Sequence, residues 1–337
     1  MIIPPSPDSW VRLTPAGLCV QPGGFHIDPL RRVDRAVVTH GHSDHARGGM
    51  GEVFATRETL AIMDHRIGPA MGPGRALRYG ETIRLGEVDV TLHPAGHVLG
   101  SAQVLLEYRG SRVVVSGDYK RRRDPTCPPF VPIACDVFVT EATFALPVFR
   151  HPPDTGEIAR LLHSIRLFPE RAHLIGVYAL GKCQRLIMLL REAGWDRPIH
   201  LHGALAGMCG LYERLGLDLG PLNLVAGLPK GALKGEIVLA PPSALQDRWA
   251  RGLPDPVLGY ASGWMNVKQR AKQRGIELPL IISDHADWDE LTRTLEEVGA
   301  PEIWITHGND QALAHWATGR GLKARALEIA GYEDEEN

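Results

Sequence analysis

The sequence predicts an α/β protein in which a strand-rich layered sandwich is followed by alternating helices and strands. Up to about residue 150, short apolar runs of strand length are separated by turn signals. From about Asp154, helical and extended patterns alternate as they do in βαβ units around a parallel sheet. No internal repeat or low-complexity linker accompanies this change. The change therefore marks an insertion or a domain boundary.

The first part of the chain contains the elements of the predicted sandwich. Apolar and β-branched runs predict strands at Ala36–Thr39, Val53–Ala55, Glu87–His93, Gln103–Tyr108, Arg112–Ser116 and Val137–Thr140. A helix is expected over roughly Glu58–Arg66. Arg109-Gly110-Ser111 joins two of the strands as a hairpin turn.

The second part contains the alternating elements. Helices are predicted at Glu157–Phe168, Lys182–Ala193 and near Leu211–Leu215, and strands at His173–Tyr178, Ile199–His202, Glu236–Leu239 and Val257–Tyr260. The chain then continues with an extended run at Leu278–Ser283, a helix from Asp287, a strand at Glu302–Thr306 and a helix from Gln311. This last stretch resembles one αβ layer.

Composition limits the classes of protein that remain. The 337 residues are 44% hydrophobic and 23% charged, as in soluble globular proteins. Lys+Arg 37 against Asp+Glu 39 leaves a formal charge of -2, so a nucleic-acid surface would have to be a local patch. Five cysteines without close pairing, and a start that lacks the pattern of a signal peptide, lead us to expect a cytoplasmic protein with no membrane segment.

One stretch carries metal-ligand chemistry, Thr39-His40-Gly41-His42-Ser43-Asp44-His45. His40 and His42 are two residues apart, so on extended backbone they point the same way and can share one cation. A turn could aim Asp44 and His45 at a second cation nearby. Nitrogen and carboxylate oxygen are the ligands of zinc and related divalent metals.

Three further ligand-type residues lie beside a glycine at the ends of apolar runs, and they are His97, Asp118 and His307. Strand ends of this kind can converge at one rim of a sheet. With the first stretch they make seven ligands, enough for two metals that share Asp118. His200 and His202 repeat the two-residue spacing, but no Asp-His pair follows, so we interpret them as structural or cleft-lining.

The series from His40 to Asp118 resembles the metal-site motifs of the metallo-β-lactamase fold. Glu141, His285 and His307 resemble the added motifs of its β-CASP nuclease branch. The resemblance implies an αββα metallo-β-lactamase sandwich with an inserted β-CASP α/β cap domain. The sandwich would comprise residues 1–153 and 276–337, and the cap residues 154–275.

More narrowly, the chain resembles the bacterial DNA ligase-associated exonucleases. The motifs that carry this resemblance are Asp28-Pro-Leu-Arg-Arg-Val-Asp-Arg-Ala-Val, Tyr178-Ala-Leu-Gly-Lys-Cys-Gln-Arg and Tyr260-Ala-Ser-Gly-Trp-Met. This resemblance implies a DNA exonuclease, 5′→3′ on single-stranded DNA or DNA ends, that acts in repair with an ATP-dependent DNA ligase and a helicase as candidate partners. It leaves the oligomeric state open.

The resemblance also assigns roles to individual residues. The first metal would be bound by His40, His42 and His97, the second by Asp44, His45 and His307, and Asp118 would bridge them. Zinc is the expected metal and manganese the alternative, because the same ligands accept both. The catalytic groups would be His285 as general acid, Glu141 beside it, and the ligand Asp44. A carboxylate beside an imidazole favours its charged form.

Two groups of residues are candidates for phosphate or base contacts. Lys182 follows Gly181 at the apparent start of a helix, and Ser262-Gly263-Trp264 resembles a phrase of the DNA branch. Lys120 and Arg121 directly follow Asp118 and could clamp a strand through its phosphates. Each candidate has a structural alternative. Lys182 could be a solvated lysine, Trp264 a buried aromatic residue, and the run that begins at Lys120 a solvated basic loop.

The substrate itself stays open between two polymers. His307 occupies a position where the RNA-processing branch typically has His and the Artemis-like branch usually has Val, which favours an RNA-processing nuclease as the alternative. A small-molecule metallo-hydrolase of the lactonase or thioesterase type would not need the insertion, Glu141 or His285. A di-iron oxidoreductase is disfavoured because such sites usually carry Glu in place of His42, and a catalytically silent scaffold because the ligand set is complete.

Overall fold

The computed structural model describes residues 3–253, 255–308 and 310–327, apart from the side chains of Lys230 and His307. Contacts within the chain divide it into two compact units. Of the described residues, the first unit comprises those up to Phe149 and those from His285 to Leu327, and the second comprises those within Arg150–Asp284. The second unit is therefore inserted into the sequence of the first.

The first segment of the chain forms strands β1 (Val11–Thr14), β2 (Gly17–Val20), β3 (Phe25–Ile27), β4 (Arg35–Val37) and β5 (Glu52–Thr56), helix α1 (Arg57–Ile67), and strands β6 (Gly74–Leu77), β7 (Thr82–Leu85), β8 (Val88–Pro94), β9 (Ala102–Tyr108), β10 (Ser111–Val115) and β11 (Val137–Ala142). The second unit contains α2 (Asp154–Leu167), β12 (His173–Gly176), α3 (Lys182–Glu192), β13 (Ile199–Leu201), α4 (Gly203–Arg214), β14 (Leu222–Leu224), β15 (Ile237–Ala240), β16 (Val257–Ala261), α5 (Lys268–Gln273) and β17 (Leu278–Leu280). The last segment forms α6 (Trp288–Val298), β18 (Glu302–Gly308), α7 (Asp310–Thr318) and β19 (Lys323–Ala326).

The first unit is a sandwich of two sheets. Their strand orders are β1-β2-β3-β4-β5-β6 and β19-β18-β11-β10-β9-β8-β7. Val113 and Val115 of β10 face the core between the sheets, whereas Val114 packs on the opposite face with residues of α6. This alternation follows from the two-residue repeat of a strand, and it explains why the run is apolar throughout: both faces are covered.

Helices cover the outer faces of both sheets. Met63 of α1 packs against Ala36 and Val53 of the first sheet. Leu291 and Leu295 of α6 lie in one cluster with Phe138 of the second sheet, together with residues of α7. The layers are therefore helix, sheet, sheet and helix, which confirms the predicted αββα sandwich.

The second unit is built on a parallel sheet with the strand order β14-β13-β15-β12-β16-β17. This agrees with the βαβ alternation expected from the sequence. The predicted end of the insertion at residue 275 is too early, because β17 pairs in parallel with β16 and so belongs to this sheet. Local apolar pattern could not decide which of two sheets a three-residue strand would join.

Candidate metal centre

The predicted ligands of the first unit follow strands whose ends meet at one edge of each sheet. β3 and β4 run in parallel, and the histidine-rich stretch begins two residues after β4. In the other sheet, β10 and β11 are parallel, Asp118 lies just after β10 and Glu141 lies within the last residues of β11. His97 lies between β8 and β9, in a turn where the Ser101 hydroxyl accepts hydrogen bonds from the amides of His97 and Val98 at 3.1 and 3.2 Å.

Three imidazole nitrogens converge in the buried centre. His42 Nδ1 lies 3.1 Å from His40 Nε2 and 3.0 Å from His97 Nε2. The Oδ2 atom of Asp118 lies 3.4 Å from His40 Nε2 and 3.8 Å from His97 Nε2. Ligand atoms around a tetrahedral zinc ion with bonds of about 2.0–2.1 Å stand about 3.3 Å apart, so this spacing matches one cation.

A second set of ligand atoms shares Asp118. His45 Nε2 lies 3.4 Å from Asp44 Oδ2 and 3.4 Å from the same Asp118 Oδ2 that faces His40. One carboxylate oxygen therefore stands between the two groups of ligands. Six of the seven predicted ligands come together in the structure. The backbone of His307 belongs to β18, but its side chain lies outside the described part of the structure.

Hydrogen bonds orient the lone pairs of two histidines toward the centre. The Thr39 hydroxyl donates to Asp28 Oδ2 at 2.6 Å, so it can only accept from His40 Nδ1 at 3.1 Å. Asp28 Oδ2 also accepts from His45 Nδ1 at 2.8 Å. Both rings then carry a proton on Nδ1, so Nε2 of each ring is the atom that can bind a metal.

The pKa values of two histidines in the cluster are shifted in opposite directions. Burial, and then the charge of His45, hold the pKa of His40 well below its ordinary value. Burial opposes protonation of His45 too, but Asp118 and Asp44 outweigh it and raise the pKa of His45 well above the usual range. Asp44 Oδ1 is buried and has no hydrogen-bond partner among the described residues. A divalent cation would satisfy these atoms together, so the residues fit a dinuclear metal site.

A histidine–glutamate pair adjoins this cluster. His285 Nδ1 lies 2.9 Å from Glu141 Oε2, and Glu141 is fully buried. The ring of His285 lies 4.6 Å from that of His97, centroid to centroid. Ligand-type atoms of Asp118, Glu141 and His285 lie within 4.8 Å of one another. The pair is therefore part of the same centre.

The basic residues after Asp118 are turned inward. Lys120 is 1% exposed, and its ammonium donates to the carbonyl of His285. Arg121 donates to Thr294 Oγ1 and pairs with Glu297. The prediction of a phosphate clamp at Lys120 is therefore wrong, because its ammonium is buried and bonded within the protein. The guanidinium of Arg121 is bonded to residues of α6. The sequence shows the run of positive charge, but it does not show that Glu290 and Glu297, far along the chain, pair with Lys120 and Arg121.

The candidate substrate residues of the second unit are also buried. Lys182 is the first residue of α3, 1% exposed, with its ammonium 3.2 Å from Asp284 Oδ1. The Ser262 hydroxyl accepts from the amide of Trp264, and Gly263 is buried beside it. Trp264 is 8% exposed, with the guanidinium of Arg270 4.1 Å from its ring centre, so it is packed rather than an open stacking surface. The ring of His202, in the second unit, caps α4 and contacts Trp249, which agrees with a structural role, and His200 is a residue of β13.

Two supporting residues were not assigned a role from the sequence, Asp28 and Thr39. Asp28 begins one of the motifs that resemble the DNA ligase-associated exonucleases, and its carboxylate orients His45 and holds Thr39. The position of Asp28 could have indicated this role, because the residue directly follows β3. This strand is the parallel neighbour of β4, which leads into the metal motif.

Comparison with known proteins supports the family resemblance that the sequence motifs indicate. A family model described as Metallo-beta-lactamase superfamily matches residues 25–173. A protein named Probable DNA ligase from Opitutus terrae is 29% identical over 92% of this chain and 30% of its own length. Ribonuclease TTHA0252 of Thermus thermophilus is 28% identical over 91% of this chain and 88% of its own length. Cleavage and polyadenylation specificity factor subunit 3 of Dictyostelium discoideum is 29% identical over 88% and 49% respectively.

A comparison with solved structures also finds a protein of similar fold. A crystal structure of a protein of unknown function from Enterococcus faecalis matches 88% of this chain and 80% of its own with a TM-score of 0.55. At 15% identity, this likeness concerns the fold alone.

Residues 25–173 match the metallo-β-lactamase superfamily, and the layered sheets and the histidine–aspartate cluster agree with that class of protein. Within that superfamily its relatives and its inserted α/β unit are consistent with the β-CASP nucleases. The chain spans less than half the length of two of the three relatives named above. None of the helices in the described part of the chain combines the length and hydropathy that a membrane span requires.

Proposed function

We propose that this protein is a metal-dependent nuclease that hydrolyses phosphodiester bonds of DNA. The observation that carries the proposal is the histidine–glutamate pair beside the ligand cluster. A lactonase or thioesterase needs the cluster but not a buried Glu141 that holds His285 within reach of it. Hydrolysis of a phosphodiester needs the ligand cluster and also a proton donor such as His285, because the leaving alkoxide must be protonated.

The proposed ligand sets are His40, His42 and His97 for one divalent metal and Asp44, His45 and His307 for the other, with Asp118 between them. When bound, two such metals neutralise charge on the phosphate oxygens and lower the pKa of a water that serves as nucleophile. Zinc is the metal we propose first, since three imidazole nitrogens and a carboxylate suit it, and manganese is the alternative.

The chain's own groups hold and move the proton. Glu141 accepts the hydrogen bond from His285 Nδ1, so the proton for the leaving oxygen comes from Nε2 of that ring. Asp28 and Thr39 accept from Nδ1 of His45 and His40, so Nε2 of each ring is the atom proposed to bind metal. Asp44 is proposed as a ligand whose carboxylate also faces His45.

For the substrate, we propose single-stranded DNA or DNA ends, degraded 5′→3′ during repair together with a DNA ligase and a helicase. Support comes from the protein named Probable DNA ligase, which matches 92% of this chain within 30% of its own length. In the second unit, Lys182 at the first position of α3, with Ser262 and Gly263, is the proposed phosphate-binding set. The proposal does not extend to Lys120, because its ammonium donates to the carbonyl of His285 and lies 3.4 Å from Glu290 Oε2.

RNA is the second candidate substrate. Two of the relatives named above point to it: one is named as a ribonuclease and the other as a cleavage and polyadenylation factor subunit, and the ribonuclease is matched over 88% of its length. The presence of His307 in this sequence favours the same candidate.

The proposal is tested with single strands of DNA and RNA of one sequence, labelled at the 5′ or the 3′ end, with zinc or manganese added. We expect the DNA to be shortened from its 5′ end. Faster cleavage of RNA would replace DNA by RNA in the proposal, and cleavage of neither polymer would overturn the nuclease assignment. His285→Ala should keep both metals and lose about 10²- to 10⁴-fold in kcat. His65→Ala, at an exposed histidine of α1, is the matched control.

A further inference from the structure

The segment that follows Asp118 holds the backbone around His285. The carbonyl of Tyr119 accepts a hydrogen bond from the amide of Ala286 at 2.7 Å. The ammonium of Lys120 donates to the carbonyl of His285 at 2.8 Å. Both sides of the peptide bond between His285 and Ala286 are therefore bonded to the residues next to the bridging aspartate.

The same segment also reaches the ring of His285. Glu141 Oε1 accepts from the amide of Tyr119 at 2.8 Å, while its Oε2 faces His285 Nδ1 at 2.9 Å. One carboxylate thus connects the Asp118 turn to the imidazole. The ring is oriented through Glu141 and its main chain through Lys120, so the two contacts together define where the ring stands.

Lys120 is built into this position. Its side chain is 1% exposed, so it does not face solvent, and its ammonium lies 3.4 Å from Glu290 Oε2. Glu290 accepts from the amide of Asp287 and completes the capping box at the start of α6. A buried lysine with a carbonyl and a carboxylate as partners is a structural cation, and its carbonyl partner belongs to His285.

We propose that Lys120 is a positioning residue for the proton donor His285, acting through the carbonyl of that residue and not through the substrate. The proposal rests on the proposed hydrolytic role of His285. A shift of about 1 Å in a reacting group can cost about 10²-fold in rate, so loss of this hydrogen bond should slow the step in which His285 takes part.

The variant Lys120→Met keeps the length and apolar stem of the side chain but removes the ammonium. Glu290 keeps a charged partner in this variant, because Arg122 Nε lies 3.1 Å from its Oε1. Kinetics are compared on two substrates: the polymer that the wild type cleaves, and bis(p-nitrophenyl) phosphate. The second substrate has a leaving group that needs no proton, so it does not require a general acid.

We expect K120M to lower kcat on the polymer by about 10- to 100-fold, with KM and the rate on bis(p-nitrophenyl) phosphate changed by less than about twofold. The matched control is Lys323→Met, an exposed lysine of β19, which should not change either rate. Equal losses on both substrates would mean a general structural role, and no loss on the polymer would mean no role; either result overturns the proposal.

A second measurement does not depend on activity. In metal-free protein, amide hydrogen exchange should be faster in K120M than in wild type across residues 285–290 and unchanged in β9. Unchanged exchange at 285–290 would contradict the proposal even if the protein proved not to be a nuclease. If K120M does not fold, Lys120→Gln provides a neutral donor, and the same split between substrates is expected with a smaller loss.

Discussion

At the scale of single residues, Asp28 connects three polar groups of the metal motif. Its Oδ1 accepts from the amide of Thr39, and its Oδ2 accepts from the Thr39 hydroxyl and from His45 Nδ1. The residue adopts a positive φ of 43°, which is uncommon for aspartate. This conformation is compensated by three hydrogen bonds, all of which serve residues of the metal motif.

Asp28→Asn should weaken metal binding. The variant amide has one acceptor oxygen, and its NH₂ group would face the donors of Thr39 and His45. We expect about a 10- to 100-fold loss of zinc affinity, as is usual when a group that orients a ligand is removed. Competition with a chromophoric chelator measures it, and Asp34→Asn, at an exposed aspartate of the same segment, is the control. Equal affinities for wild type and D28N would show that Asp28 does not orient a ligand.

At the scale of elements, the turn after β10 sets the approach of Asp118 to the histidines. Gly117 has a φ of +56°, and a Cβ atom built there would lie 2.7 Å from Thr39 Oγ1. The turn therefore packs directly on the residue that orients His40. Only glycine permits both this conformation and this contact.

Gly117→Ala should disturb the metal centre as well as the fold. The left-handed conformation alone costs about 1–3 kcal/mol for a residue with a side chain, and the contact with Thr39 adds a local displacement. Gly110→Ala separates the two effects, because Gly110 has a φ of +87° but its nearest neighbour would be 3.5 Å away. We expect both variants to unfold at lower denaturant concentration and only G117A to bind zinc more weakly.

In the second unit, β12 and α2 enclose a histidine. His173 Nε2 lies 2.9 Å from Ser164 Oγ, and burial lowers the pKa of His173 below its ordinary value. The folded state therefore favours the neutral ring. As pH falls below about 6.5, the unfolded chain takes up a proton that the folded chain resists, so stability decreases towards acid pH.

Amide exchange in β12 measures this pH dependence. The free energy of opening should fall between pH 7.5 and pH 5.5, and His173→Gln should reduce that fall because its side chain does not titrate. His163→Gln, at an exposed histidine of α2, should leave the fall unchanged. An equal fall in wild type and H173Q would assign the acid sensitivity to other groups.

At the scale of the whole molecule, the described ligands belong to the first unit alone. Its two chain segments, up to Phe149 and from His285, both contribute to the centre: the six candidate ligands with described side chains lie in the first segment, and the proposed acid lies at the start of the second. The insertion of 135 residues between them, Arg150–Asp284, does not prevent the two segments from forming one sandwich. The parallel pairing of β11 with β18 joins them.

Metal removal should therefore affect the two units differently. With free zinc about a thousandfold above its Kd, binding stabilises the folded state of the unit that holds it by about 4 kcal/mol. Hydrogen exchange with zinc and with a chelator is the measurement. Amides of β4, β10 and β11 should gain protection with zinc, whereas those of β12 and β15 should not change. Equal gains in both units would contradict a centre confined to the first.

That the six candidate ligands lie together could be predicted from the sequence, because their spacing is local or because they end apolar strands. His40, His42, Asp44 and His45 lie within six residues, and the geometry of extended backbone and one turn is sufficient to bring them together. The layered fold was predictable for the same reason: runs such as Val113–Val115 show where both faces of a strand are covered.

The tertiary structure alone decided which residues support those ligands. Asp28 meets Thr39 because β3 and β4 pair in parallel, and Lys120 meets the His285 carbonyl 165 residues later in the chain. The run of positive charge after Asp118 has the same appearance whether it faces a polyanion or buried glutamates. Sequence by itself determines which chemistry the side chains offer. Long-range packing determines which partner each one meets, because the partner is selected by strand pairing and burial across segments far apart in the chain.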